Sequence, residues 1–164
     1  MPFNKIHWKI LQPAELKTLV KEWQAAGQKV VFTNGCFDIL HRGHVDYLSK
    51  AAALGDKMVV ALNGDKSVKK LKGKNRPIQD EESRMEIMAS LFFVDAVVKF
   101  NEDTPLKLIQ LLQPDILVKG GDYKPSEIVG ADVVKSKKGK VIVLPYIEGY
   151  STSGIDEKIR NSKK

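Results

Sequence analysis

The 164-residue chain carries 27 Lys and Arg against 20 Asp and Glu, a formal net charge of +7, and is 43% hydrophobic. Length and composition fit one domain with a real core and exclude wholesale disorder. The lone Cys36 excludes an intrachain disulfide framework, and no apolar run nears the ~18 residues of a membrane span. The basic surplus attracts anions without choosing among nucleic acid, acidic lipid and a phosphorylated small molecule.

The elements follow in chain order. Leu16, Leu19, Val20 and Trp23 fall at i, i+3, i+4 and i+7 and predict a helix over residues 13–26. A β-branched apolar run at 30–32 predicts the first strand, and Val45, Tyr47, Leu48, Ala51 and Ala52 the helix after it. Residues 58–62 predict a second strand. Met85, Met88, Ala89 and Phe92 give the next helical face, and 94–98 the third strand. Thr104 and Pro105 read as N-cap and first turn of a helix carrying Leu108, Ile109 and Leu112. Runs at 116–118 and 141–144 complete five strands.

Near-continuous rather than alternating apolar strands are buried on both faces, and their alternation with helices makes βαβ units. The expected fold is a Rossmann-like doubly wound α/β domain with a five-stranded parallel sheet and one extra N-terminal helix. The boundaries are 1–28 for the extension and helix and 29–164 for the domain proper. Such sheets bind ligands beyond the carboxyl ends of their strands, where strand order reverses.

The first strand runs into Thr33-Asn34-Gly35-Cys36-Phe37-Asp38-Ile39-Leu40-His41-Arg42-Gly43-His44. This loop is neither G-x-G-x-x-G nor a P-loop, which argues against a nicotinamide dehydrogenase and a P-loop ATPase. Its content is a His-x-x-His pair around Gly43 at a helix start, where imidazole N–H groups and free amides converge on an anion and glycine lets phosphate approach. A zinc site needs a third ligand, and beyond this pair the chain has only His7 and one cysteine; no metal-ligating set is assigned.

That segment resembles the first signature of the H-x-G-H nucleotidyltransferase superfamily. The second signature, a Ser/Thr cluster opening the last helix, is matched by Gly149-Tyr150-Ser151-Thr152-Ser153-Gly154-Ile155, where Ser153 and Asp156 also fit a capping box. Within the superfamily the resemblance runs nearly end to end with the adenylyltransferase domain that makes ADP-heptose. It is carried by Asn63-Gly64-Asp65, Leu71-Lys72-Gly73, Arg76-Pro77-Ile78, Glu82, Arg84 and Lys119-Gly120-Gly121-Asp122-Tyr123. With no sugar kinase domain in the 164 residues, the chain resembles the stand-alone form.

The resemblance implies transfer of AMP from ATP to D-glycero-β-D-manno-heptose 1-phosphate, giving ADP-heptose and pyrophosphate for surface glycan or lipopolysaccharide. The attack is in line, without a covalent intermediate. It implies His41, His44 and Lys72 as catalytic residues. Thr33, Asn34, Gly35, Phe37, Asp38, Gly43, Asn63, Arg84, Gly120, Gly121, Asp122, Ser151, Thr152 and Ser153 are implied to bind the nucleotide. Asp65, Lys72 and Arg76 are implied to bind the acceptor, with Lys72 and Arg76 folding over from the loop. Mg²⁺ is expected with ATP. The expected partners are ATP, a sugar 1-phosphate and a second copy of the chain, not nucleic acid or membrane, in the cytoplasm. Met1 to Lys5 shows no signal-peptide pattern.

Three expectations concern neighbouring residues. Cys36 is expected to be a small packing residue, and Lys135, Lys137, Lys138 and Lys140 a solvated helix end. Cytidylyltransferase relatives such as the glycerol 3-phosphate enzyme carry arginines where Phe92 and Tyr146 align, and losing both fits the heptose branch better. The alternatives are a cytidylyltransferase for a polyol phosphate, a nucleic-acid-binding module, which predicts aromatics beside the basic residues, and a sensor that binds nucleotide without turnover.

Overall fold

A computed structural model describes residues 6–121 and 123–162. Five parallel strands form one sheet: β1 (Val30–Gly35), β2 (Lys57–Asn63), β3 (Ala96–Phe100), β4 (Ile116–Gly120) and β5 (Lys140–Leu144). Their order is β3-β2-β1-β4-β5, so strand order reverses between β1 and β4. The helices are α1 (Pro13–Ala25), α2 (Arg42–Ala52), α3 (Asp65–Lys72), α4 (Glu81–Ser90), α5 (Leu106–Leu112), α6 (Ala131–Ser136) and α7 (Thr152–Asn161). The expected α/β class and parallel five-stranded sheet are what the chain forms.

Alternate residues of each strand feed opposite cores. Val30 and Phe32 join Val59 and Ala61 beneath α1, α5 and α6, where Leu16, Val20, Ile109 and Val134 pack. Val31 joins Met58, Val60 and Leu62 on the other face, against Leu48 and Ala51 of α2 and Met88 and Ala89 of α4. Both faces are therefore dry, as the unbroken apolar runs require. No helix among the described residues is long and apolar enough to cross a membrane.

Three local expectations shift. Thr104 is not the N-cap of α5; Pro105 is, its carbonyl accepting from Ile109 N at 2.9 Å. The α4 face stops before Phe92, because Leu91 turns extended, and Phe92 lies 92% exposed. Strand β3 starts at Ala96 rather than at 94, since the Asp95 carboxylate instead takes Met58 N (2.8 Å) and Lys57 Nζ (3.2 Å) at the head of β2.

Candidate active site

A cavity of about 780 Å³ opens at the carboxyl ends of β1 and β4, the place where strand order reverses. Its floor is the turn after β1. Phe37 sits there at φ +45° and buried, with its ring edge-on to His44 at 5.3 Å. That ring explains Gly35, where an added Cβ would meet it at 2.8 Å.

His41 is the N-cap of α2 and His44 lies in the first turn. The two rings stack at 3.8 Å and 21°. Gly43 is closely packed: a Cβ would lie 3.1 Å from the His41 ring and 3.2 Å from Tyr150 Cβ, so a side chain there would push on both. Both Nδ1 atoms are shielded and have no hydrogen-bond partner among the described residues. Burial lowers the pKa of both rings, that of His44 to about 4, with its neighbour His41 adding and a backbone bond to Ile39 opposing. At neutral pH the pair is therefore uncharged and offers N–H groups, not cations, to an anion.

A second group of residues holds the loops rather than facing the cavity. The Arg84 guanidinium is fully buried and donates to Gln79 O (3.1 Å), Cys36 O (2.6 Å), Asn63 O (2.9 Å) and Asp65 Oδ1 (2.8 Å). Neither Arg84 nor Asp65 lines the cavity. This corrects the expectation that Arg84 grips the nucleotide and Asp65 the acceptor. They brace each other behind the first signature.

Thr33 is corrected likewise. Fully buried, its hydroxyl is held by Val118 O at 2.9 Å and by the Tyr47 hydroxyl, so it ties β1 to β4 and α2 instead of binding phosphate.

Asp38 touches the cavity, but its carboxylate accepts from Ile78 N (2.9 Å), Gln79 N (2.9 Å) and Arg76 (3.1 Å). Burial alone would raise its pKa; those backbone amides and Arg76 outweigh it and hold the carboxyl below the usual range. The other arm of Arg76 meets Asp156 of α7 at 3.3 Å. The loop bearing Arg76 is thus stapled to two carboxylates, and Arg76 is not a free cation poised to fold over substrate.

The remaining walls come from four elements. Ser151 caps α7 by accepting from Gly154 N at 3.0 Å, so the cap is Ser151 and not Ser153. Thr152 and Ser153 line the cavity beside it. Lys72, the last residue of α3, is exposed and lines the opening. Asn63 ends β2 and donates to Ser67 Oγ at 3.0 Å. Gly120 lies so close to the Tyr146 ring that a Cβ there would collide with it, and Gly121 has φ +111°. Asp122 lies outside the described residues.

The motif content of this cavity agrees with the comparisons. Residues 32–158 match the Cytidylyltransferase-like family model. The chain belongs to that family. Among curated relatives it is 56% identical over 149 residues to the bifunctional protein HldE of Hydrogenovibrio crunogenus, covering 91% of this chain and 31% of that protein. It is 53% identical over 163 residues to HldE of Campylobacter jejuni subsp. doylei, covering 98% and 34%. The chain therefore spans about a third of the length of these relatives.

Among solved structures, a lipopolysaccharide core biosynthesis protein from Thermoplasma volcanium superposes with TM-score 0.59 at 31% identity, covering 76% of this chain and 100% of that one. A pantoate-beta-alanine ligase from Francisella tularensis shares the fold, with TM-score 0.58 and 16% identity over 94% of this chain and 78% of that chain.

As a member of the cytidylyltransferase-like family, the chain is a nucleotidyltransferase. Its cavity also contains residues that reading the sequence missed. Lys119, Tyr123, Thr104 and Tyr146 line it, and Cys36, expected as packing, is half-buried at its floor, burial pushing its thiol pKa up. For Lys119 the signal was present: a lysine at the carboxyl end of β4 directly before two glycines. Of the two positions expected to align with arginines of cytidylyltransferases, Tyr146 borders the cavity and Phe92 does not. The lysines at 135, 137, 138 and 140 are exposed.

Proposed function

We propose that this domain transfers AMP from ATP to D-glycero-β-D-manno-heptose 1-phosphate, forming ADP-heptose and pyrophosphate for a lipopolysaccharide or surface glycan. The observation that carries the reading is the stacked His41–His44 pair, with unpartnered Nδ1 atoms, in one cavity with the Ser151, Thr152 and Ser153 cluster at the start of α7. Likeness to HldE proteins and to a lipopolysaccharide core biosynthesis protein supports the heptose branch.

A sugar phosphate oxygen is already anionic, so no general base is needed to activate it. The protein's task is to align two polyanions and stabilise charge growing on the α-phosphate and on departing pyrophosphate. Neutral His41 and His44 would donate N–H groups to the phosphates, and a phosphate against them favours the protonated form in turn. The Ser151, Thr152 and Ser153 hydroxyls and the free amides of α7 would take the outer phosphates. Lys72 supplies a mobile positive charge. Mg²⁺ enters as part of the MgATP substrate; among the described residues no three His, Cys, Asp or Glu side chains cluster to hold it independently.

The deciding experiment incubates the protein with ATP or CTP and a panel of sugar 1-phosphates and polyol phosphates, reading products by mass spectrometry. ADP-heptose from ATP is expected. Turnover with CTP and a polyol phosphate, and none with ATP, would overturn the assignment.

A further inference from the structure

Arg76 lines the cavity but is paired with Asp38 and Asp156, and Arg84 is sealed behind the loop, so unpaired positive charge at the cavity comes from elsewhere. Lys72 and Lys119 both line it, and neither lies within salt-bridge distance of a carboxylate among the described residues. Lys119 is half-buried near the end of β4, in register with Val143 of β5. Its Nζ donates to Asn34 Oδ1 at 3.4 Å and stands 6.0 Å from the centre of the Tyr123 ring. Because Oδ1 is the acceptor, the Asn34 amide keeps its N–H groups for another partner.

Two further facts bear on what this ammonium is for. Burial lowers the Lys119 pKa; the nearby Cys36 thiol opposes the shift, and the positive charge of Lys72 adds to it. Two ammoniums that repel each other across one cavity, neither paired with a carboxylate among the described residues, are stabilised by an anion placed between them. The histidine pair and the serine cluster belong to helix N-terminal ends, which suit a triphosphate chain. Lys72 and Lys119 project from the opposite kind of terminus, the last turn of α3 and the end of β4.

We infer that Lys119, together with Lys72, binds the phosphate monoester of the acceptor and holds it for attack on the nucleotide. This rests on the nucleotidyl-transfer reading above and adds the receptor for its second substrate. Lys119 is then a substrate-contacting residue, and Asn34 reaches the same phosphate through its free amide protons.

The test compares wild type with Lys119→Met, which keeps the length of the side chain and removes the charge, and with Lys119→Arg. In turnover with ATP, Lys119→Met should raise KM for the sugar 1-phosphate by about 10- to 100-fold, the loss of one charge-assisted hydrogen bond. KM for ATP should move less than roughly threefold, and Lys119→Arg should recover part of the acceptor affinity. An unchanged acceptor KM, or a rise confined to ATP, overturns the inference.

A second measurement is independent of which sugar is used. Trinitrobenzenesulfonate labelling of the wild-type chain, mapped by peptide mass spectrometry, should modify Lys119, and inorganic phosphate without nucleotide should protect it. Labelling that phosphate leaves untouched overturns the inference even if the enzyme turns over. Protection in a protein that accepts no heptose phosphate sustains it while the heptose assignment falls.

Discussion

Arg84 separates a brace from a ligand, because the two roles predict opposite readouts. Its guanidinium makes three hydrogen bonds to backbone carbonyls and one ion pair to Asp65, whose side chain is 30% exposed. Arg84→Met removes all four. Charged hydrogen bonds to buried carbonyls contribute about 1.5 kcal/mol each at the low end. The half-open ion pair adds under about 1 kcal/mol once solvent screening is allowed for. The gross loss is then about 5 kcal/mol, offset in part by the apolar methionine stem, leaving a net of about 3–4 kcal/mol. At this chain length that corresponds to a Tm lowered by about 6–16 °C. Thermal and urea unfolding read the loss, and ATP binding at a temperature where the variant is folded reads the site. Arg84→Lys should rescue little, since an ammonium cannot span Gln79, Cys36 and Asn63 with a planar fork. Wild-type stability with sharply weakened ATP binding would refute the reasoning and return Arg84 to the phosphates.

The histidine pair gives two further expectations. His44→Ala should lower kcat by roughly 10²–10³, the loss typical of one preorganised donor in the transition state, with KM for ATP less affected; unchanged turnover would remove His44 from the mechanism. The same residue should leave a pH signature on stability. Its pKa falls from the ordinary 6.5 to about 4 in the folded state, so the unfolded chain takes up a proton that the native ring refuses. The contribution is complete above about pH 6.5 and is lost as pH falls toward 4, an upper bound of roughly 3 kcal/mol. Urea unfolding across that window should show a steeper decline for wild type than for His44→Ala, and parallel curves would contradict the buried neutral ring.

The fold was legible because both of its determinants are local. Unbroken β-branched runs such as 58–62 have to be covered on both faces, and helices of the right spacing lie between them to do it. The floor of the site was legible for a related reason, since Gly43 between two histidines at a helix start has few other uses. What misled was residue type without context. Phe92 continues the i+7 spacing of α4, but the helix ends two residues earlier and nothing covers the ring. Thr33 stands at a strand mouth with a hydroxyl, yet β4 and Tyr47 close over it. Which partner a polar group finds depends on elements far away in sequence, and spacing does not carry that.

The arginines and lysines show why this matters for reading a phosphate site. A planar guanidinium satisfies several fixed acceptors at once, so it is well suited to pinning loops, and here Arg84 and Arg76 join the first signature to residues 76–79, to Asp65 and to α7. A buried guanidinium with four partners loses too much on leaving them to follow a substrate in and out of a cleft. An ammonium on a flexible stem does not face that loss, and among the described residues the cavity-lining lysines without a carboxylate partner are Lys72 and Lys119, while Arg76 lines the cavity paired with two carboxylates. The histidines complete the division. Held neutral by burial, and His44 also by its neighbour, they would set donors around the reacting phosphates without adding repulsion to those two charges before substrate arrives.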